Sequence, residues 1–167
     1  DIQERLLGAL AEARRAAVEA RALVAVDSAL ALGVPVLVSE QYPKGLGPTI
    51  ASIRERLGDL FVPVEKLAFS CGRSEEFKAA LERTGRQDVI LCGVETHVCV
   101  LQTMLDLDRA GYRVFVAADA VASRRDFDRD TALALMREAG ATIGTTEMFA
   151  FQLLERAGTD EFKAISK

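Results

Sequence analysis

Two periodicities of hydrophobic and polar residues alternate along this chain of 167 residues. Short apolar runs bounded by turn residues are typical of buried strands, whereas apolar residues three or four positions apart are typical of amphipathic helices. The apolar runs predict five strands, at 34–39, 61–65, 88–94, 113–118 and 141–145. The helical spacing predicts six helices, at 12–32, 49–57, 75–83, 96–110, 127–139 and 147–157.

The alternation of these elements predicts the class of fold. Strands separated by helices of about 10 to 15 residues are typical of βαβ units, in which right-handed crossovers place helices on both faces of a parallel sheet. We therefore expect an α/β fold, with a three-layer α/β/α, Rossmann-like, doubly wound arrangement around a mainly parallel sheet. Residues 1–167 are predicted to form a single domain. Because such a sheet normally has a strand just before a carboxylate placed like Asp1, we expect a further strand upstream of it.

Composition and charge narrow the classes of partner. Half of the residues are hydrophobic and 28% are charged, as is usual for a globular protein. The formal net charge of −4 and the pI near 5.2 disfavour a surface for nucleic acid or for anionic membranes. No apolar stretch approaches the roughly 18 to 20 residues of a membrane span. The three cysteines include no Cys-x-x-Cys pair and no zinc spacing, which predicts a reducing, cytoplasmic setting.

The most informative stretch is Gly-Val-Glu-Thr-His-Val-Cys at residues 93–99, which joins a predicted buried strand to a predicted helix. It places the Cys99 thiol at the start of that helix. The free N–H groups and the positive end of the helix dipole favour a thiolate there. The same N–H groups can hold a developing oxyanion, so this position suits a nucleophile.

Four candidate groups fall at the ends of predicted strands: Asp1, Glu40 with Gln41, Lys66 and Cys99. Ligands of open α/β sheets bind outside the carboxyl ends of the strands, where such side chains converge. A carboxylate can accept the proton of the thiol, an ammonium group can stabilise the thiolate, and the thiolate can attack a carbonyl carbon. The sequence therefore predicts a hydrolytic site at this edge.

Three motifs give the chain a resemblance that extends over essentially its whole length. They are Asp-x-Gln at 1–3, Gln-Tyr-Pro-Lys-Gly-Leu-Gly at 41–47 and the 93–99 segment. The chain resembles the isochorismatase-like cysteine hydrolases, in particular the isochorismatase domain-containing proteins. The resemblance implies the isochorismatase-like hydrolase fold, with Asp1 as general base, Lys66 as the cation beside the thiolate and Cys99 as nucleophile.

The resemblance also implies details of the pocket. The family has a non-proline cis peptide before the nucleophile turn, which here would join Val94 to Glu95. The backbone N–H groups of Glu95 and Cys99 would form the oxyanion hole. Val94, Gln41 and Tyr42 would bind the substrate, with the last two on the rim of the pocket.

Two departures from the family narrow the expected activity. Nicotinamidases hold a metal with an aspartate and several histidines, whereas this chain has a single histidine, His97. Isochorismatases that cleave vinyl ethers lack the cysteine at the position of Cys99. We therefore expect hydrolysis of a small amide or related acyl compound, with no metal. No GxGxxG or P-loop motif is present, so no cofactor is expected, and the resemblance implies a homo-oligomer.

The alternative from another class is an oligomeric binding or scaffold module that keeps the fold with vestigial catalysis. Thiol reactivity discriminates between the two readings. A reactive Cys99 is expected to alkylate well below pH 8, faster than Cys71, and more slowly when Lys66 is replaced by alanine.

Several residues have a structural reading that competes with a functional one. Cys92, inside a strand, is expected to pack in the core. For Cys71, a packing role is favoured over lining the pocket. For His97 a capping or packing role is favoured over a dyad with Cys99, because residues two apart at a helix start point in different directions. Asp119 and residues 123–124 could touch a ligand or a neighbouring subunit, or could brace a loop and cap a helix. The apolar helix at 148–154 could form an interface or, preferably, a core face.

Overall fold

The computed structural model describes residues 1–166. Its strands are β1 (Val38–Gln41), β2 (Pro63–Lys66), β3 (Asp88–Val94), β4 (Arg113–Ala122) and β5 (Thr142–Gly144). β1 pairs with β2, and a second ladder has the order β3-β4-β5. Every pairing of these strands is parallel, and helices separate consecutive strands, which confirms the predicted α/β class.

Helices follow or precede each strand as the crossovers require. The helices are α1 (Glu4–Gly8), α2 (Glu12–Ala31), α3 (Pro43–Leu46), α4 (Ala51–Leu57), α5 (Glu75–Arg83), α6 (Leu101–Arg109), α7 (Asp126–Glu138), α8 (Thr146–Leu154) and α9 (Asp160–Ile165). A π-helical turn, Thr96–Val100, leads into α6. Short 3-10 turns lie at Gly58–Leu60 and Cys71–Arg73.

Two hydrophobic clusters show that the helices lie in two separate layers. The first packs α5, α6 and α7 against β2 and β4, around the fully buried Met104 and Met136. The second packs α1, α2 and α4 against the ends of β3 and β4, around Leu7 and Val18. Each fully buried aliphatic side chain contributes about 1.5–3 kcal/mol, so these clusters fix the strand ends that carry the candidate site.

The first residues of the chain run between the two ladders. The Asp1 carbonyl oxygen accepts the Val94 N–H at 3.0 Å, and the Ile2 carbonyl oxygen accepts the Ile50 N–H at 3.0 Å. Gln3 forms an isolated antiparallel bridge with Thr49. These backbone contacts hold the Asp1 side chain at the carboxyl end of β3.

The bounds of two predicted strands were wrong. The first strand is Val38–Gln41 rather than 34–39, because its ladder with β2 begins only at the Val38–Pro63 pair. Pro35 has no N–H to donate to a ladder. The fourth strand continues from the predicted end at 118 to Ala122. After a register shift with extra residues in β4, Gly93 and Val94 pair with Val121 and Ala122. Asp119 therefore belongs to the strand and not to a loop.

Three short helices were not predicted from the sequence: α1, α3 and α9. α3 lies inside the Gly- and Pro-rich motif at 41–47, and Pro43 stands at its first position, where a missing N–H costs nothing. The other predicted helices agree with the structure to within about three residues, except that the first five residues of the helix predicted at 96–110 form the π-helical turn before α6. Ser74 caps α5, since its side chain accepts the Phe77 N–H. Within residues 1–166, no helix combines the length and the apolarity needed to cross a bilayer.

Candidate active site

A buried ion pair links the start of the chain to the end of β2. Asp1 Oδ2 lies 2.8 Å from Lys66 Nζ, and the two side chains are 1% and 0% exposed. Breaking such a pair by removing one partner leaves a charge without compensation in a low-dielectric environment. The structure thus brings together two of the three residues for which the sequence predicts catalytic roles.

The Lys66 ammonium group has three donors, and each has an acceptor inside the protein. Besides Asp1, Nζ donates to Gln41 Oε1 and to the Phe69 carbonyl oxygen, both at 2.8 Å. Gln41 in turn donates from Nε2 to the Leu67 carbonyl oxygen at 2.8 Å. Burial lowers the pKa of Lys66, against the opposing influence of Cys71 and Cys99.

Gln41 differs from its expected place on the rim. It is buried, and both ends of its side-chain amide are bonded within the protein, where they support Lys66. Tyr42 is 49% exposed and has a left-handed backbone with φ of 39°, and its N–H donates to the Lys66 carbonyl oxygen at 2.9 Å. Tyr42 therefore lies at the surface beside the site.

The third candidate, Cys99, is buried in the π-helical turn that follows β3. The peptide bond between Val94 and Glu95 is cis, as the resemblance implied. The Glu95 carbonyl oxygen accepts the N–H groups of Val98 and Val100 at 3.1 and 3.3 Å, which closes the turn. This turn holds Cys99 near Lys66, whose charge acts on the thiol.

Burial raises the pKa of the Cys99 thiol. The nearby Lys66 ammonium group and a backbone hydrogen bond from Glu95 lower it, whereas Cys71 raises it further. Desolvation is the largest of these influences. The direction is opposite to the one suggested by the position at the start of a helix, because the thiolate would have to form in a poorly hydrated place.

A cavity of about 550 Å³ lies between β1 and β3, and its lining residues do not include Lys66. Asp1, Cys99 and Val94 line it, and Val94 is fully buried. Further lining residues near them are Ser39, Cys71 and Thr103. Asp1 and Cys99 therefore border the same void.

Two side chains of the 93–99 segment point to the β4–α7 connection. Glu95 Oε1 accepts both the backbone N–H and the Nε–H of Arg124 at 3.0 Å. His97 Nδ1 lies 2.9 Å from Ser123 Oγ. These contacts brace residues 123–124 against the nucleophile turn and agree with the packing role favoured for His97.

Asp119 has a bracing role. Its carboxylate accepts the backbone N–H and the hydroxyl of Thr146 at 2.8 and 2.7 Å, at the first residue of α8. Cys92 lies in β3, and burial raises the pKa of its thiol. Within residues 1–166, no three His, Cys, Asp or Glu side chains are grouped so that they could hold a metal ion.

Sequence reasoning missed two buried residues of the site. Ser39 Oγ donates to Asp1 Oδ1 at 2.8 Å, and Gln3 makes three hydrogen bonds to the backbone of Gln41 and Gly47. A signal existed for each residue. Ser39 ended a predicted strand, and Gln3 is the last residue of the Asp-x-Gln motif.

Comparison with known proteins identifies the family of this chain. The model of the isochorismatase domain matches residues 1–148. The chain belongs to the isochorismatase family.

Three curated relatives illustrate the similarity. The secreted isochorismatase effector Isc1 of Phytophthora sojae (strain P6497) is 44% identical over 145 residues, which are 85% of this chain and 69% of the relative. Isochorismatase domain-containing protein 2A of Mus musculus is 44% identical over 137 residues, or 81% of this chain and 64% of the relative. Isochorismatase domain-containing protein 1 of Danio rerio is 42% identical over 140 residues, 84% of this chain and 49% of the relative. The matched part of the chain thus spans about half to two thirds of these relatives.

Solved structures share the fold closely. A structure described as MAR1 ribonuclease from Caenorhabditis elegans has a TM-score of 0.90 and 35% identity, covering 99% of this chain and 84% of that chain. YcaC from Pseudomonas aeruginosa, with hexane-2,5-diol and covalent acrylamide, has a TM-score of 0.89 and 25% identity over 98% and 83%. The YcaC protein from Escherichia coli, described as an octameric hydrolase of unknown specificity, has a TM-score of 0.87 and 25% identity over 93% and 76%.

Proposed function

We propose that this protein hydrolyses a small amide or related acyl compound through a covalent intermediate on Cys99. The observation that carries the proposal is the buried Asp1–Lys66 ion pair. Asp1 lines the same cavity as Cys99, and the charge of Lys66 acts on the Cys99 thiol. A buried carboxylate, a cation and a thiol on separate elements are the groups that acyl transfer by cysteine needs.

In the first step, Asp1 accepts the proton of the Cys99 thiol as the sulfur attacks the carbonyl carbon. Because burial raises the pKa of this thiol, it is neutral before attack and needs a base. The backbone N–H groups of Glu95 and Cys99 stabilise the oxyanion of the tetrahedral intermediate. The positive charge of Lys66 stabilises the negative charge that moves through the site.

In the second step, the protonated Asp1 gives its proton to the leaving amine, and the C–N bond breaks to leave a thioester on Cys99. A water molecule then attacks the thioester carbon while Asp1 accepts one of its protons. The sulfur leaves as the C–S bond breaks, the acid departs, and the thiol regains its proton from Asp1. The cycle balances without an oxidant, a reductant or a cofactor.

The related structures support this chemistry. The YcaC protein from Pseudomonas aeruginosa carries covalent acrylamide, so a member of this fold has a group that reacts with a small unsaturated amide. The related protein from Escherichia coli is described as a hydrolase. We propose by analogy that Cys99 is the reactive group of this chain.

The deciding experiment is a screen of small amides, esters and other acyl compounds with the wild type and Cys99→Ala. We expect Cys99→Ala to lose at least about a thousandfold in kcat, because the nucleophile cannot be replaced. Cys92→Ala, which removes a thiol inside β3, is the matched control and is expected to stay active. Mass spectrometry after treatment with acrylamide should find the adduct on Cys99.

Two results would argue against the proposal. Hydrolysis that persists in Cys99→Ala would exclude the covalent mechanism. A wild type that hydrolyses no acyl compound and forms no adduct on Cys99 would favour the binding or scaffold module. RNA belongs in the same screen because a related structure is described as a ribonuclease, and Cys99-independent cleavage of RNA would point to a different activity.

We also propose that the protein forms a homo-oligomer. One face of α8 packs into the core through Phe149 and Leu154, and the other carries Met148 and Leu153, which are 51% and 47% exposed. A related hydrolase of the same fold is octameric. A second copy of this chain would cover the apolar side chains that α8 leaves at the surface.

A further inference from the structure

Ser39 touches the candidate general base directly. It is buried in β1, and its Oγ donates a hydrogen bond to Asp1 Oδ1 at 2.8 Å. The main-chain nitrogen of Asp1 lies 3.5 Å from the same Oγ. Since Lys66 holds Oδ2 at 2.8 Å, both oxygens of the carboxylate have a partner on opposite sides.

Cys71 sets the direction of the Ser39 hydroxyl. Its thiol donates to Ser39 Oγ at 3.4 Å, and its own backbone N–H is held by Thr103 Oγ1 at 2.9 Å. A hydroxyl group has one hydrogen and two lone pairs. Because the thiol occupies a lone pair of Ser39, the single hydrogen of the hydroxyl is directed to Asp1.

Building on the proposed function, we propose that Ser39 is a positioning residue for the general base and that Cys71 supports it through this hydrogen bond. A carboxylate held by Lys66 alone could rotate about that one contact. The second contact fixes its plane, and each oxygen keeps a lone pair with which to accept the proton of Cys99. In this role Ser39 acts through Asp1, and Cys71 acts through Ser39.

Several charged or titratable groups lie near Asp1. A test must separate the effect of Ser39 on this carboxylate from theirs. Lys66 contributes a positive charge from β2. The titratable thiols of Cys71, Cys92 and Cys99 line the same cavity as Asp1. Among these groups and Ser39, only Ser39 can be changed to alanine without removing a titratable group.

The first measurement is the pH profile of kcat/KM for Ser39→Ala, with Ser39→Thr as the variant that keeps the hydroxyl. Loss of a hydrogen bond to the ionised carboxylate makes protonation easier. We expect the acid limb in Ser39→Ala to move up by about one pH unit, with kcat about tenfold lower and KM within about twofold of the wild type. Ser39→Thr should restore most of the wild-type pH profile and most of the wild-type kcat.

The second measurement does not need turnover. Carbon-13 NMR of labelled aspartate follows the Asp1 carboxyl through its titration, and the resonance is assigned by its loss in Asp1→Asn. We expect the midpoint to rise by about one pH unit in Ser39→Ala. Cys71→Ala should give a smaller rise, and Cys71→Ser, which keeps a donor, a smaller one still.

The outcomes separate this proposal from the proposed function. An unchanged Asp1 midpoint in Ser39→Ala would overturn the positioning role, whatever the enzyme hydrolyses. A shifted midpoint with an unchanged kcat would overturn it as well. A wild type without Cys99-dependent turnover would instead remove the proposed function, and the NMR midpoint would still report whether Ser39 holds Asp1.

Discussion

At the scale of single residues, burial is the main influence on both Cys99 and Lys66. Burial raises the pKa of Cys99 and lowers the pKa of Lys66, so desolvation disfavours the charged form of each group. The charge of Lys66 partly offsets this effect at the thiol. The pKa of the Cys99 thiol therefore depends on the charge of Lys66, so the reactivity of the thiol reports on that charge.

We predict that Cys99 alkylates with a midpoint above that of an ordinary cysteine thiol. A raised pKa means less thiolate at any given pH, and only the thiolate reacts. In Lys66→Met the midpoint should rise further, because the nearby cation is lost, whereas Lys66→Arg keeps a positive charge. Iodoacetamide kinetics followed by peptide mass spectrometry between pH 6 and about pH 10 measure this. A Cys99 that reacts well below pH 8, as its sequence position suggested, would contradict the prediction.

The candidate catalytic residues were easier to predict from the sequence than the residues that hold them in place. Asp1, Lys66 and Cys99 could be named because they end predicted strands and match family motifs. Ser39 could not be singled out, since its role depends on a hydroxyl direction set by a residue 32 positions away. Nor could the sequence show that burial outweighs the start of a helix at Cys99, because the balance depends on packing from distant elements.

At the scale of elements, Gln3 ties β1 to the loop that follows it. Its Nε2 donates to the carbonyl oxygens of Gln41 and Gly47 at 3.0 and 2.7 Å, and its Oε1 accepts the Gln41 N–H at 2.8 Å. Gln3 is fully buried. One side chain thus satisfies three backbone groups at the point where β1 ends beside Lys66.

We predict that Gln3→Leu lowers the free energy of unfolding by about 3 kcal/mol, because three buried backbone groups lose their partner at similar side-chain volume. Gln87→Leu, at an exposed position, is the matched control and should change stability by less than about 0.5 kcal/mol. Urea denaturation followed by circular dichroism measures both variants. Equal stabilities of the two variants would show that Gln3 does not brace β1.

The helices and the parallel strands were predictable because the spacing of apolar residues and the length of each segment distinguish helices from strands. The strand 88–94 agrees with β3 at both ends, and α2 ends one residue before its predicted end. The extension of β4 was not predictable, since it depends on a register shift in the pairing of β3 with β4. Short helices such as α9 have too few turns to give a periodic signal.

At the scale of the whole molecule, the exposed side of α8 leads to a prediction about assembly. We expect sedimentation equilibrium to give a mass that is a multiple of 18.1 kDa. Introducing charge with Met148→Glu and Leu153→Glu should dissociate the assembly, because a buried unpaired carboxylate is costly. Met148→Leu keeps the apolar surface and should remain assembled. A wild type that sediments as a monomer at micromolar concentration would contradict the proposal.

The saturated hydrogen bonding of Lys66 has a consequence for the design of inhibitors. Its ammonium group already donates to Asp1, Gln41 and Phe69, so it has no hydrogen left for an incoming molecule. A carboxylate added to a compound in order to capture this cation would gain no direct bond and would meet the negative charge of Asp1. Neutral electrophiles aimed at sulfur are therefore the better starting chemistry for blocking this pocket.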